Sequence, residues 1–404
     1  MAKRNLHISA SSINNFKACP MRFKNANVLG IRKEDETEAQ RLGTHWHRIL
    51  DIITRKPGSV CNRCAKLPTN DPDCSICAGT GFLPENLMDA VYRELDRIYV
   101  DKTYLDPTVI AVEKSKLLYA LTGYQWYYED QPEEVVTREQ RFELSLINPE
   151  SGRALPGVRL VGMIDKIINW SGRPAVKEHK STSSSVSPDS DYWGHLNLDT
   201  QTKLYLYAAR RMQRDGLLIG WGIKETHPLI NTILYDVFHK PGISPKHLTQ
   251  GESKQFVEDG LYCGQKFEIG AGWKTNEVGN TRRLIGGCPT TFEPGKKEGT
   301  FAIRETSEMY GARLLAAIGE VPEFYFRCVE ITRTDKEMES FEWELLNIYR
   351  TMQEMIKTGH WYGNEHQCQA TFTCDYMPSC YNNIELTVDN VPEGFKIIFK
   401  KEEE

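Results

Sequence analysis

The stretch VRLVGMIDKIINW (158–170), then SGRP (171–174) and AVKEHKS (175–181), reads as two strands joined by a tight turn. With the turn centred on Ser171-Gly172, residues whose numbers sum to 343 face each other, so Asp165 lies opposite Glu178. Counting outward from a two-residue turn makes them a non-hydrogen-bonded pair, with Cα atoms about 4.5 Å apart. Pro174 falls at another such position, where its missing N–H does no harm. Strand alternation places Lys180 on the face of Glu178.

Two carboxylates this close repel, and one pKa would rise unless a cation intervened. Oxygen donors suit Mg²⁺ or Mn²⁺, and a neighbouring lysine suits an attacking water or a developing oxyanion. Glu-x-Lys alone is common and also fits an exposed salt-bridged hairpin; the opposing aspartate sets this one apart.

Working outward, ISASSINNFKACPMRF (8–23) reads as a Ser-capped helix with Ile13 and Phe16 inward. Leu42, Trp46, Ile49, Leu50 and Ile53 mark a second helix over about 36–53, ended by Pro57-Gly58. Helical patterning returns over 85–99, short strands run from Glu134 to Thr182, and a helix follows from near Leu198. NTILYDVFHKPGI (231–243) is a further strand. Met338, Phe341, Leu345, Ile348 and Met352 mark a long helix ended by Gly359, and the KKEEE tail (400–404) reads as disordered. Residues 260–304 are Gly-rich and aperiodic, a long loop or small subdomain. They interleave Lys266, Phe267, Trp273, Lys274, Arg282, Arg283, Phe292, Lys296 and Lys297, which suits either a single-strand cradle or plain solvated surface.

The chain has 404 residues, 40% hydrophobic and 26% charged, as in an ordinary globular protein with one to three domains. A net charge of -5 means that any nucleic-acid contact needs a local basic groove. No stretch suits a signal peptide or a membrane span, so a cytoplasmic setting is expected. No G-x-x-x-x-G-K-[ST] loop is present, which argues against a helicase motor within the chain.

Of eleven cysteines, eight fall into two sets. Cys61-x2-Cys64 and Cys74-x2-Cys77 are paired knuckles with nine residues between them, a spacing typical of structural Zn²⁺. CSICAGTGF (74–82) also resembles DnaJ-type zinc knuckles. The second set is Cys368, Cys374 and Cys380, with Cys19 as the natural fourth member; Cys263, Cys288 and Cys328 read as ordinary thiols.

Taken together, the motifs resemble the PD-(D/E)XK nuclease superfamily in its RecB-type exonuclease branch. They are Ser12 to Phe23 (S-x-x-x-F-x-x-C-P-x-R-F), Gly43 to His47 (G-T-x-x-H), Gly162 to Asp165 (G-x-x-D), Glu178 to Lys180 (E-x-K), and Gln201 with Tyr205 (Q-x-x-x-Y), in the family's order. The resemblance implies an α/β fold: one nuclease domain over 1–404, with a mixed central β-sheet flanked by helices. A zinc module inserted at 56–84 would project from it, and a cysteine segment would follow at 366–382. It implies that Asp165, Glu178, the His179 carbonyl and His47 hold a catalytic Mg²⁺ or Mn²⁺, although His45 competes with His47 for that role. Lys180 would act on the water, while Gln201 and Tyr205 would position DNA or the active-site strands; by periodicity alone those two read as helix packing.

Relatives such as the AddB nuclease domain and the CRISPR-adaptation nucleases imply a [4Fe–4S] cluster on Cys19, Cys368, Cys374 and Cys380. Here both gaps in the trio are five residues, whereas the family has a tight C-x2-C, which leaves iron–sulphur, zinc and an empty site all open. The function implied is DNA exonuclease action on a linear or single-stranded end. Recombination, repair or phage DNA processing is the expected setting, in a prokaryotic or virus-infected host cytoplasm, with a helicase or recombination protein as partner. A silent DNA-binding or scaffold subunit and a site-specific endonuclease are the competing readings.

Overall fold

A computed structural model of the chain describes residues 6–399 except 132, 271–272, 274–282 and 371; Lys274, Arg282 and the 400–404 tail lie outside the described residues. In chain order the principal elements are β1 (Leu6–Ile8), α1 (Ala10–Ala18), α2 (Glu38–Ile53), α3 (Leu87–Val100) and α4 (Pro107–Tyr127). They continue with β2 (Glu134–Ile147), β3 (Ala154–Trp170), β4 (Arg173–Thr182), α5 (Thr200–Arg214) and β5 (Thr232–His239). The last are α6 (Ser307–Glu320), β6 (Phe326–Thr332) and α7 (Asp335–Thr358).

The six strands form one mixed sheet in the order β1-β3-β4-β5-β6, with β2 on the other side of β3. β1 and β3 run parallel, as do β4 and β5, and the remaining pairs are antiparallel. The β3–β4 hairpin has the expected register: Lys166 faces Lys177, Asn169 faces Pro174 and Trp170 faces Arg173. Its two turn residues, Ser171 and Gly172, have φ of 51° and 79°, the doubly left-handed turn that matches strand twist.

The length of β3 shapes the sheet. One of its edges carries β2 for nearly its whole length, while the other must serve two partners. β4 takes residues 166–170 and β1 takes 158–160, so residues 161–165 form a fork between them. Gly162 lies in this fork under two aromatic rings. A Cβ there would stand 2.5 Å from the Phe142 ring and 3.3 Å from that of Tyr205.

Helices cover both faces. α1, α5 and α7 pack Ile13, Leu204 and Phe341 against Ile164 and Val176 of the sheet. On the opposite face α2, α3, α4 and α6 pack Trp46, Leu95, Leu121 and Leu314 against Phe238 and Phe326. Ser9 caps α1 and Gly359 in the left-handed region ends α7, as the sequence suggests, and Thr37 caps α2. Among the described residues no helix is long and apolar enough to cross a membrane.

Two regions bear on the sequence expectation: the first takes the small-subdomain alternative, the second differs from what was expected. Residues 260–304 contain short two-stranded ladders, such as Phe292–Pro294 with Phe301–Ile303. They surround a small core of Leu248, Phe256, Trp273, Ile285, Ile303 and Met309. Trp273 is buried and Phe267 packs on Phe256, so these two aromatics hold the subdomain together and do not offer a stacking surface for bases. The cysteine-rich insert does not project. Its four cysteines, Ile76 and Leu83 share a core with α2 and α3.

A buried ion pair ties α2 to α4. The Arg41 guanidinium donates to both Glu113 oxygens, at 2.9 and 2.5 Å, and the Tyr99 hydroxyl donates to Glu113 at 2.7 Å. Removing one member leaves the other charge buried without a partner, so Glu113→Ala is expected to cost about 3–5 kcal/mol of stability. Urea unfolding measures this; a loss below about 1 kcal/mol, the range of exposed pairs, would contradict it.

Candidate active site and cysteine centres

Asp165 is the residue at which β3 and β4 part. The paired ladder stops at Lys166–Lys177, one step before Asp165 and Glu178 would meet. A continued ladder would give the His179 amide to the carbonyl of Ile164. Instead that amide donates to Asp165 Oδ2 at 2.9 Å. The aspartate side chain thus replaces the lost backbone bond and holds itself beside Glu178.

Glu178 is 2% exposed. Its Oε1 accepts from Lys180 Nζ and from Gln201 Nε2, each at 2.7 Å, while Oε2 is buried and has no hydrogen-bond partner in the protein. Burial pushes the Glu178 carboxyl up to about 7, with Lys180 opposing and the Asp165 charge adding to the rise. Burial also acts upward on Asp165, but the hydrogen bond and charge of His47 bring it down to about 2. Burial disfavours the Lys180 charge, yet Glu178 outweighs it and holds that pKa above the ordinary lysine value. The pair of carboxylates is therefore split, one ionised and one poised to exchange a proton.

α5 supplies Gln201 and, one turn later, Tyr205. The Tyr205 ring meets Phe142 edge-on at 6.0 Å, over Gly162. Burial first, and then the Glu178 charge, push its hydroxyl up to about 12. α2 approaches β4 closely at Gly43, where a Cβ would lie 3.2 Å from Ser181 Oγ. One turn on, His47 Nδ1 stands 3.4 Å from Asp165 Oδ2. His45 instead packs its ring on Tyr99 at 4.9 Å, so of the two histidines only His47 faces the carboxylate. A cleft of about 470 Å³ opens here, bordered by Gly43, Thr44, His47, Glu139, Asp165 and His179.

Behind the site lies a buried polar set that sequence reading did not identify. Asp236 on β5 is 2.9 Å from His179 Nδ1 and accepts from Tyr124 Oη at 2.5 Å and Lys177 Nζ at 3.3 Å. Glu133 bridges Lys166 and Lys177, which face each other across the hairpin. One signal was present: a charged residue in the middle of the otherwise apolar TILYDVFH strand must find partners.

The donor chemistry suits a divalent cation: Asp165 and Glu178 offer hard oxygens, His47 adds an imidazole, and the orphaned Glu178 Oε2 is the kind of buried acceptor that an ion satisfies. Among the described residues these three do not bring one donor atom each within 4.8 Å of one another, so in this arrangement a cation reaches at most two of them directly and completes its shell with water.

The knuckle cysteines form a closed centre. The Sγ atoms of Cys61, Cys64, Cys74 and Cys77 all lie within 4.8 Å of one another, with Cys61–Cys74 at 3.9 Å and Cys64–Cys77 at 3.4 Å. Bonds of about 2.3 Å to a tetrahedral zinc would place them about 3.8 Å apart. Glu94 of α3 anchors the module, accepting from Ser75 Oγ at 2.5 Å and from Arg63 at 3.0 Å.

The second set is arranged differently. Cys19, Cys368, Cys374 and Cys380 line one cavity of about 210 Å³. Among the described residues they do not form a group close enough for a single ion, which the knuckle cysteines alone do.

A family model described as the PD-(D/E)XK nuclease superfamily matches residues 7–381 of the chain. No curated protein matches it significantly.

Two expectations follow. A cation entering beside Glu178 must displace its proton, so affinity for Mg²⁺ or Mn²⁺ should fall about tenfold per pH unit below about 7 and level off above it. Titration calorimetry at pH 6 and pH 8 checks this, and equal affinities would contradict a raised Glu178. Cys77→Ala should release about one zinc per chain and lower the melting temperature. Elemental analysis with a thermal melt is the test; unchanged zinc content would rule out the knuckle as the holder.

Proposed function

The chain belongs to the PD-(D/E)XK nuclease superfamily, and on that basis we propose that it is a Mg²⁺- or Mn²⁺-dependent DNA exonuclease of the RecB-type branch. The observation that carries this reading is Asp165 bonded at the strand fork to the amide of His179, the neighbour of Glu178, with Lys180 and Gln201 both bound to Glu178. A phosphodiester is hydrolysed by an in-line water, and charge accumulates on the phosphoryl and leaving oxygens.

Asp165, Glu178, His47 and the His179 carbonyl would hold the cation, which supplies Lewis acidity and a water of lowered pKa. The protein's own contribution is positioning. Gln201 fixes Glu178 in one rotamer through a 2.7 Å bond. Lys180 keeps its charge beside Glu178, where it can orient the attacking water or meet the developing oxyanion. Tyr205 packs over Gly162 in the fork. Burial on the Glu178 side strengthens each of these interactions.

For the second cysteine set we propose a [4Fe–4S] cluster. Four thiols lining a cavity of about 210 Å³, spaced too widely for one ion, suit a polynuclear cluster better than zinc. The knuckle we assign to structural Zn²⁺. None of the eleven cysteines is in a disulfide, which leaves both sets available as ligands; a cytoplasmic setting is the one we propose. Recombination, repair or phage DNA processing, with a helicase partner feeding a linear or single-stranded end, is the setting we propose.

The test is cleavage of end-labelled linear and closed circular DNA with Mg²⁺, with Mn²⁺ and with EDTA. Loss of the linear form with circles spared is expected, and Asp165→Ala should lower the rate on the order of a thousandfold, the value of several kcal/mol of charge stabilisation. Cut circles would make it an endonuclease. Binding without cutting, by protein of confirmed metal content, would make it a silent DNA-binding subunit.

A further inference from the structure

His179 contributes more than its backbone to this site. As the middle residue of Glu178-His179-Lys180 it points its side chain away from Glu178, toward α2. There its side chain is 4% exposed and lies beside Asp236, its partner in the parallel β4–β5 ladder. Nδ1 is 2.9 Å from Asp236 Oδ2. A carboxylate only accepts, so Nδ1 carries the ring proton and Nε2 keeps its lone pair. Nε2 is buried and has no hydrogen-bond partner in the protein.

The surroundings narrow what can supply the missing donor. Lys166 and Lys177, the nearest cations on that face, are both held by Glu133, and Lys177 also reaches Asp236. Tyr124 spends its hydroxyl on Asp236. His179 is among the residues that line the cleft with Asp165 and His47, and the His47 ring stands edge-on to its ring at 6.4 Å. Neither His47, Asp165 and Glu178 nor His47, Asp165 and His179 bring three donor atoms within 4.8 Å of one another, so in this arrangement an ion beside Asp165 and His47 reaches the other groups through its waters. A small hard cation at Asp165 and His47 keeps several waters, and its charge makes them strong donors.

We propose that Nε2 of His179 accepts a hydrogen bond from a water of the divalent cation held by Asp165 and His47, with Asp236 fixing the tautomer that makes this so. The assignment rests on the cation site of the nuclease reading and adds a support from the opposite face of the sheet. Glu178 addresses the cation from the α5 side of the fork, and the Asp236–His179 pair addresses its hydration shell from the α2 side. His179 is a positioning residue: it acts on the ion through a water. The ligand class is a hydrated Mg²⁺ or Mn²⁺ ion.

The experiment is Mn²⁺ titration calorimetry on the wild-type chain, His179→Phe and Asp165→Ala, each checked for folding by thermal melt. His179→Phe is expected to weaken Mn²⁺ about 10–100-fold, the usual effect of removing an outer support, whereas Asp165→Ala should abolish binding. Wild-type affinity in His179→Phe, with binding lost in Asp165→Ala, would overturn the proposal and leave the cation site standing. Wild-type protein that binds no Mn²⁺ would overturn both. Nitrogen NMR of the wild-type histidine rings gives an answer even if the Phe variant fails to fold. One ring should show the Nδ1–H tautomer with an unprotonated nitrogen that shifts on adding Mg²⁺, and a full set of unmoved ring nitrogens would overturn the proposal.

Discussion

One backbone amide decides the site. In an uninterrupted β3–β4 ladder the N–H of His179 would belong to Ile164, and Asp165 and Glu178 would be ordinary cross-strand neighbours. Because β3 must also pair with β1, the ladder stops at Lys166–Lys177 and that amide is released. A buried N–H without an acceptor would cost about 1–3 kcal/mol. Asp165 supplies the acceptor, and doing so fixes its carboxylate at the mouth of the fork. The sheet irregularity and the carboxylate geometry are one feature.

That arrangement would be unstable without compensation, since the strands place several charges in the interior. Lys166 and Lys177 face each other, 3% and 5% exposed, where like charges would repel. Glu133 bridges them, and Asp236 takes Lys177 and His179 as well. Two lysines and two carboxylates balance, and burial takes the His179 pKa down to about 4, so that its ring is neutral at pH 7. The α2 face of the fork is thus electrically quiet, while the α5 face keeps Glu178 poised near neutrality beside a charged Lys180. The two faces of one hairpin carry different chemistry because residue alternation sends odd and even positions into different environments.

Much of this was legible in the sequence, for physical reasons. A two-residue turn at Ser171-Gly172 dictates the hairpin pairings from Trp170–Arg173 to Lys166–Lys177, so counting brings Asp165 and Glu178 to the end of the ladder, where the expected direct pairing is replaced by the fork. A serine cap marked the start of α1 and a glycine the end of α7 because those signals are local, while apolar periodicity marked α2. α4 escaped because its apolar residues surround the helix, which is packed on several sides and so has no amphipathic stripe. The core of the 260–304 region was hidden because Leu248 and Met309, which complete it, lie outside that segment. The fork itself was invisible: pairing of β1 with residues 158–160 is a contact across more than a hundred positions, and no local pattern announces it. The partner of the His179 side chain, on β5, was hidden for the same reason.

The two cysteine centres bear on the fork unequally. The knuckle is compact, anchored on α3 through Glu94, and braces the α2–α3 side from which His47 projects. The other centre gathers Cys19 with three cysteines that follow α7. Cys19 comes directly after α1, α1 comes directly after β1, and β1 occupies the part of the β3 edge that β4 leaves free. Tyr376, from the same C-terminal segment, donates its hydroxyl to the carbonyl of Ile31 at 2.6 Å, a second tie between the two ends of the chain. A group bound by these four thiols, as proposed above, would add to that tie and help hold β1 in register, and β1 in register is what stops the β3–β4 ladder at Lys166. The position of the carboxylate depends on that parting, so a centre remote from Asp165 would act on it through β1.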